Sequence, residues 1–451
     1  MGKSIAGLGS SLVKVYSASA LVLMNTLSAF VVINLFLAVT FYILDVANFG
    51  KKAVTCKELV ARIVSEPTAL FNADGSPINN GKRNCYQLRW FDFNAYEGVE
   101  PIYAGEVLDD FYELGQLGFI YQPWVQFSEP PFQGKHVNVD LDERGFPTRR
   151  TINPSNITHL PVIRIVTLGG STTFGYNVSD EHTWPSYLAK ILNDRALAQH
   201  LGVYVEVVNY GRGFFYPTQE TVLAMDLLKS GHRPSLMIFM DGVNLGLDED
   251  VPAFTDKFER QFAERQFIPE ASIVHQLKWV PVVRLALVIQ KKISGRETGA
   301  GPKEAKPVVV DTANHLINRF IQDRMIAEGM LNQYSIPSQF FLQPDAIHNY
   351  PLSNFSKPMP DTFLPERERR VAFYKRMSAT KGVTDLSNLF EVWGLGRKAI
   401  VDDCHYSPSF NRFLAEHVAK HIVLEALAPR GKLIDDSSAT GVPRVTRSYS
   451  R

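Results

Sequence analysis

The stretch Val162–Gly175, VIRIVTLGGSTTFG, constrains this chain more than any other. Val162, Ile163, Ile165, Val166 and Leu168 form a nearly continuous apolar run, the pattern of a strand buried on both faces. The run stops at Gly169-Gly170, and Ser171 follows at once. A serine so placed stands at the carboxyl end of a buried strand, where open α/β sheets put their ligands. The two glycines let the backbone turn sharply beside a substrate. Taken alone, the same residues also describe an ordinary Gly-Ser-Thr turn, so the reading depends on partners for Ser171 elsewhere.

From about residue 160 the chain alternates strands with helices. Thr183 can cap a helix whose Trp184, Tyr187, Leu188, Ile191 and Leu192 share a face. Val203–Val208 reads as a second strand ending at Asn209, followed by a turn with Gly211 and Gly213. Pro217 opens a helix through Leu228. Leu236–Met240 is a third strand, ending at Asp241-Gly242-Val243-Asn244. Gln339–Pro344 and Gly382–Leu386 read as the last two strands. VDDCHYSP and a closing helix follow, with Leu414, Val418 and Ile422 on one stripe and Glu416 paired with Lys420 outside. Such alternation predicts a parallel sheet with helices on both faces. Residues 245–335 break the rhythm and read as a mostly helical insertion, suited to a lid. Trp279–Gln290 within it is apolar but too short to cross a bilayer.

Ahead of this domain, Ala20–Leu44 carries no charge and exceeds the roughly 20 residues that span a bilayer. It is longer than the core of a cleaved signal peptide, so it reads as a membrane anchor behind a short tail, 1–19. Lys3 and Lys14 lie before it and Lys51, Lys52 and Lys57 after it, a nearly balanced pattern. The preferred orientation puts the tail inside and the large domain outside, as in a single-pass protein of a bacterial inner membrane. Residues 45–159, rich in aromatics, Pro and Gly, predict a β-rich lead-in with a helix near Leu108–Leu117. Residues 429–451 are polar and basic without apolar pattern and read as a disordered tail.

A net charge of +1 over 451 residues offers no bulk electrostatic case for nucleic acid. Cys56, Cys85 and Cys404 are too few for a disulfide scaffold and lack metal-ligand spacing; Cys56 and Cys85 could form one bridge in an oxidising compartment.

A serine nucleophile needs a base, and the base an orienting acid. Asp402 and His405 stand three apart before the final helix, so the carboxylate can bind one imidazole nitrogen while the other faces Ser171. Acyl transfer also needs donors for an oxyanion. Asn244 can offer its side-chain amide, Gly211 or Gly213 a backbone N–H, and Ser171 its own N–H.

In this order, with the first three each just beyond a strand, these residues resemble the SGNH (GDSL-like) hydrolase superfamily. GGST at 169–172 resembles its first block, NYGRG at 209–213 the second, DGVN at 241–244 the third and DDCH at 402–405 the last. The resemblance covers 160–428 and implies a flavodoxin-like α/β/α sandwich and serine esterase or acyl-transfer chemistry without metal or organic cofactor. It implies Ser171 as nucleophile, His405 as general base and acid, Asp402 as its orienting acid, and Asn244 with a turn N–H as oxyanion hole. Three positions depart from the pattern. GGST replaces the GDS form, Leu245 stands where Asp is common, and Phe214 stands where the second block has its glycine. If the turn is shifted by one residue, Gly213 is the donor, and it is the preferred expectation over Phe214 and Gly211. Asp403 neighbours Asp402, whose spacing is the better one for the triad.

The span and the NVDLDERGFPTRRT segment further resemble membrane-anchored bacterial SGNH proteins, which implies an acylated small molecule or a cell-envelope glycan as substrate. An esterase that removes acetyl-like groups is the leading expectation. Acyl transfer to a glycan by the same triad, and a non-catalytic glycan-binding scaffold, are the alternatives. No protein partner is legible.

Overall fold

The computed structural model describes residues 2–49, 95–96, 101–155, 160–244, 280–283, 285–286, 289, 312–354 and 363–428. The Cys56–Cys85 pair, the tail 429–451, most of 50–100 in the lead-in and most of 245–311 in the insertion fall outside them. The chain divides into two compact units, Met1–Lys52 with Asp256–Val308, and Ala53–Thr255 with Val309–Arg451.

The first unit is built on helix α1 (Gly2–Phe49). Its Ser19–Ile43 segment, 25 residues, is long and apolar enough to cross a membrane, and its large apolar side chains are exposed. Thr26, Asn34 and Thr40 each donate to the carbonyl four residues back, all at 2.8 Å, so these side chains turn a donor onto their own helix. The described residues of the apolar segment near 280, 281–283, 285–286 and 289, are helical.

The second unit is organised by one eight-stranded sheet. Helix α2 (Pro101–Leu117) and an antiparallel pair, β1 (Ile120–Gln122) and β2 (Gln126–Ser128), come first. Then follow β3 (Phe132–Gln133), β4 (Asn138–Leu141), β5 (Pro147–Arg149) and β6 (Val162–Gly169). The alternating part contains α3 (Ser171–Phe174), α4 (Trp184–Ala198), β7 (Tyr204–Asn209), α5 (Pro217–Lys229) and β8 (Leu236–Asp241). It closes with α6 (Thr312–Gln333), β9 (Ser338–Leu342), α7 (Phe363–Ser378), β10 (Thr384–Asp385) and α8 (Pro408–Lys420).

Strand order across the sheet is β10-β9-β8-β6-β7-β5-β4-β3. The parallel strands, β6 to β10, run in chain order 2-1-3-4-5, the flavodoxin-like doubly wound arrangement. The period of two along β6 explains the layers. Ile163 and Ile165 point to one face, where Trp184, Leu188 and Leu192 of α4 and Phe410, Leu414 and Val418 of α8 cover them. Val166 and Leu168 point to the other, under Leu223 and Leu227 of α5 and Ala327 and Leu331 of α6. Thr183 caps α4 by accepting from the Ser186 N–H, and Ser407 caps α8 by accepting from Phe410.

The strands of the β-rich lead-in join the core sheet: β5 pairs antiparallel with β7 at Arg149↔Asn209, so β3 to β5 extend the same sheet. Two expectations change. The helix Thr312–Gln333 packs on the same face as α5 and carries the chain from β8 to β9, so it belongs to the doubly wound core rather than to an insertion. On α8, Glu416 accepts from Arg412 at 3.2 Å rather than pairing with Lys420.

One buried arginine ties the added strands to the core. Arg149, 1% exposed, bonds Asp180 Oδ1 through Nη1 and donates to the carbonyls of Asn138, Phe174 and Val178 at 3.0–3.2 Å. Asn138 adds its own N–H and side-chain amide to the Asp180 carboxylate. The segment 174–180, directly behind Ser171, is thereby pinned from the lead-in. Removing one partner of such a pair strands the other charge in low dielectric. Arg149→Met is expected to lower the unfolding free energy by about 3–5 kcal/mol in urea denaturation. Arg149→Lys should recover only part of that, because an ammonium cannot serve the same fork of acceptors.

Candidate active site

Ser171 is the first residue of the α3 turn that caps β6. Its position follows from close approaches that only glycine allows. A Cβ on Gly170 would lie 2.4 Å from Asn244 Nδ2 and 3.1 Å from the Phe215 carbonyl oxygen. One on Gly211 would lie 2.4 Å from the Phe174 nitrogen. The turns after β6 and β7 thus touch backbone to backbone at the carboxyl edge of the sheet, and the Asn244 side chain from the turn after β8 closes on Gly170. Asn209, fully buried, locks two of them together. Its amide donates to the Thr173 carbonyl at 2.7 Å, and its carbonyl accepts from the Gly211 N–H at 2.8 Å.

The structure brings Ser171, His405 and Asp402 together across 234 residues of chain. His405 Nε2 lies 2.9 Å from Ser171 Oγ, and His405 Nδ1 lies 2.6 Å from Asp402 Oδ2. The other carboxylate oxygen accepts from the backbone N–H of Cys404 at 2.9 Å and of His405 at 2.7 Å. Burial alone would raise the Asp402 carboxyl, but the His405 charge and these hydrogen bonds hold it below its usual range. Burial alone would lower the His405 imidazole, but the Asp402 charge and hydrogen bond hold it above its usual range. Asp402, Asp403, Cys404 and His405 put four metal-capable atoms within 4.8 Å of one another. The Asp402–His405 contact, however, is that of a hydrogen bond, with imidazole and carboxylate turned on each other instead of around an ion.

Asn244 reaches the same spot, its Nδ2 donating one hydrogen to the Phe215 carbonyl at 2.6 Å and retaining a second. The preferred expectation for a turn amide changes. The Gly213 N–H donates to Glu129 Oε1 at 2.7 Å, and the Gly211 N–H is held by Asn209. Phe214 has φ +65°, a conformation that favours glycine. The turn therefore keeps a left-handed residue at the position where the resemblance puts a glycine, and it is not shifted onto Gly213.

Four residues around this site were not legible in the sequence. Asn177, left-handed with φ +67°, donates to Asp402 Oδ2 at 2.7 Å. Tyr176 stacks on the His405 ring at 5.5 Å between centroids and donates to Glu129 at 3.0 Å. Gln343, after β9, accepts from Thr172 at 2.6 Å and so holds the residue next to Ser171. Glu129, after β2, serves both Gly213 and Tyr176. No local pattern around Asn177 points to a carboxylate 225 residues away.

A cavity of about 320 Å³ lies away from Ser171. It fills the wedge where β5 leaves β7, and its charges pair among themselves: Arg164 with Glu206 at 2.6 Å, His232 with Asp142 at 2.9 Å, Arg150 with Asp140 at 2.7 Å. A smaller one, about 220 Å³, is lined by Tyr176, Asn177 and Phe214 and so adjoins the site.

No family model and no curated protein matches this chain. Among solved structures it is similar to a lipolytic protein of the G-D-S-L family from Veillonella parvula (12% identity, 57% of this chain and 97% of that one, TM-score 0.31). It is likewise similar to the acetyl xylan esterase AlAXEase (14%, 58% and 100%, 0.31) and to Est24, a carbohydrate acetylesterase from Sinorhizobium meliloti (13%, 57% and 96%, 0.29).

Two outcomes follow from this geometry. Gly170→Ala drives a methyl into the Asn244 amide. It should cut the rate of Ser171 labelling by a fluorophosphonate about 10²–10³-fold, the usual cost of losing one oxyanion donor. The second concerns Asp241, at the end of β8, where burial pushes the carboxyl up to about 7. An unfolded carboxyl ionises near 4, so the native state holds this proton longer. Stability should fall as pH rises from about 4 through 7, and Asp241→Asn should flatten that fall in urea titrations.

Proposed function

We propose that the protein is a membrane-anchored serine esterase that removes O-acyl groups, with acylated glycans of the cell envelope as the substrate class. The observation that carries this reading is the hydrogen-bonded chain from Ser171 Oγ through the His405 ring to Asp402 Oδ2 at the carboxyl edge of a parallel sheet. In this reading His405 Nε2 takes the Ser171 proton as Oγ attacks the ester carbonyl. Asp402 keeps the proton on Nδ1 and stabilises the imidazolium that forms. The free hydrogen of the Asn244 amide, the Ser171 N–H and the Phe214 N–H meet the oxyanion. The imidazolium then protonates the leaving alcohol, and water enters by the reverse path to release the acid.

The anchor reading is supported by the exposed sleeve on α1. Leaving large apolar side chains from Leu21 to Ile43 in water costs about 25 cal/mol per Å² of exposed apolar surface, so lipid is the fitting surround. The second unit would face the outside, where envelope glycans are found; a cysteine-accessibility test on intact cells reads that orientation.

Hydrolysis of p-nitrophenyl acetate by the detergent-solubilised chain tests the enzymatic reading. Ser171→Ala and His405→Ala should each abolish turnover with unchanged circular dichroism, and full activity in Ser171→Ala would sink it. Asp402→Asn should lose about 10⁴ in kcat while remaining folded. Because the base works as the neutral imidazole, kcat/KM should rise with pH through the His405 titration. That midpoint should lie above the ordinary value of about 6.5, as the Asp402 charge requires. Release of acetate from an O-acetylated glycan, with and without a second glycan as acceptor, then separates water from sugar as the acyl acceptor.

A further inference from the structure

The 220 Å³ cavity bordered by Tyr176, whose ring stacks on His405, is made largely by the lead-in. Phe111 and Leu114 of α2 and Phe119 form its apolar wall, Tyr176 and Phe214 its border toward the site. It is larger than the roughly 150 Å³ that accepts a benzene ring in a protein interior. An acetyl group would leave most of it empty.

Glu129 and Asn177 break the apolar lining, and Glu129 is the acidic one. Glu129 is 2% exposed, and its Oε1 accepts from the Gly213 N–H and the Tyr176 hydroxyl. Its Oε2 is buried and has no hydrogen-bond partner among the described residues. A buried carboxyl oxygen without a partner costs free energy unless something fills the place. Burial raises the carboxyl against the opposing charge of Arg212. Oε1 is occupied by two donors, which leaves Oε2 to meet a substrate hydroxyl.

Resting on the esterase reading, we propose that this cavity is a specificity subsite. It takes an apolar group about the size of a six-carbon unit, carried by the ester substrate and bearing a hydroxyl that pairs with Glu129 Oε2. The fit is chemical as well as steric: carbon against Phe111, Leu114 and Phe119, and one hydrogen bond at Glu129 Oε2, which with Asn177 Oδ1 is a buried polar atom of the lining without a partner among the described residues. The lead-in then sets which ester is cleaved, while the doubly wound core does the chemistry. Glu129 acts at two places, its Oε1 as a positioning group for the oxyanion turn and its Oε2 toward the substrate.

Gly115 supplies the test. It lines the cavity on α2, and a Cβ there meets nothing within 4 Å, so Gly115→Phe puts a ring into open space without touching Ser171, His405 or Asp402. The full chain in detergent is assayed on two ester series. The acyl series is p-nitrophenyl acetate, hexanoate and 3-hydroxyhexanoate. The alcohol series is the acetates of ethanol, hexanol and 1,6-hexanediol. One series should show wild-type preference for the six-carbon member, and for its hydroxylated form by about five- to tenfold, the worth of one hydrogen bond. That series identifies which half of the ester the cavity holds.

Gly115→Phe should cut kcat/KM for the six-carbon substrates of that series roughly tenfold or more and leave p-nitrophenyl acetate within twofold. Glu129→Met should abolish the hydroxyl preference, read as a ratio, whatever its effect on absolute rate; Glu129→Gln should keep it. Binding of hexanamide and N-hexylacetamide to Ser171→Ala, read by saturation-transfer NMR, needs no turnover. If wild type cleaves no ester but Gly115→Phe abolishes amide binding, the enzymatic reading fails and the subsite stands. If Gly115→Phe changes neither the size preference of either series nor amide binding, the subsite proposal is overturned.

Discussion

The arrangement of this protein turns on the Asp402 carboxylate. It is buried at the junction of the last loop, the segment behind Ser171 and the start of α8, and it accepts four hydrogen bonds. Two come from the backbone of its own loop and shape that loop. One comes from His405 and aims the imidazole at Ser171. One comes from Asn177 and binds the loop to the other end of the chain's core. A buried carboxylate with this many donors remains ionised, and an ionised partner is what keeps the His405 ring oriented and basic.

The anchoring extends outward from there. Asn177 is held left-handed within a segment whose other members, Phe174, Val178 and Asp180, bind Arg149 of β5. Tyr176 of the same segment lies against His405 on one side and Glu129 on another. The lead-in is thus part of the site's support. Its buried charges, Arg149 and Glu129, are costly to desolvate and are compensated by hydrogen bonds to backbone groups of the core. Such groups fix geometry more than they add stability, which suits a site where distances of a few tenths of an ångström matter.

How much was legible can be judged residue by residue. The α/β alternation, the caps at Thr183 and Ser407, and the stripe of α8 follow from local periodicity and local hydrogen bonding, which short windows report faithfully. The Ser171 turn and the Asp402–His405 spacing were visible because each block is local. The turn after β7 was legible only in part. Glycine type pointed to Gly213, whereas backbone conformation, with Phe214 left-handed, places the turn differently, and conformation is not written in residue type once a non-glycine tolerates the strain. The 312–333 helix read as insertion because its connection to β8 is long, although its apolar face packs like any crossover helix.

The sequence by itself determined a doubly wound α/β domain behind an apolar helix of membrane-spanning length, and the residue types of a Ser-His-Asp site. These rest on periodicity, length and spacing, all of which are properties of short segments. Only the tertiary structure decided that the lead-in strands join the core sheet, that Asn177, Tyr176, Gln343 and Glu129 surround the catalytic groups, and that an apolar cavity with one partnerless carboxyl oxygen adjoins them. Those are contacts between segments tens to hundreds of residues apart, and their geometry is set by how the layers pack, which no local pattern encodes.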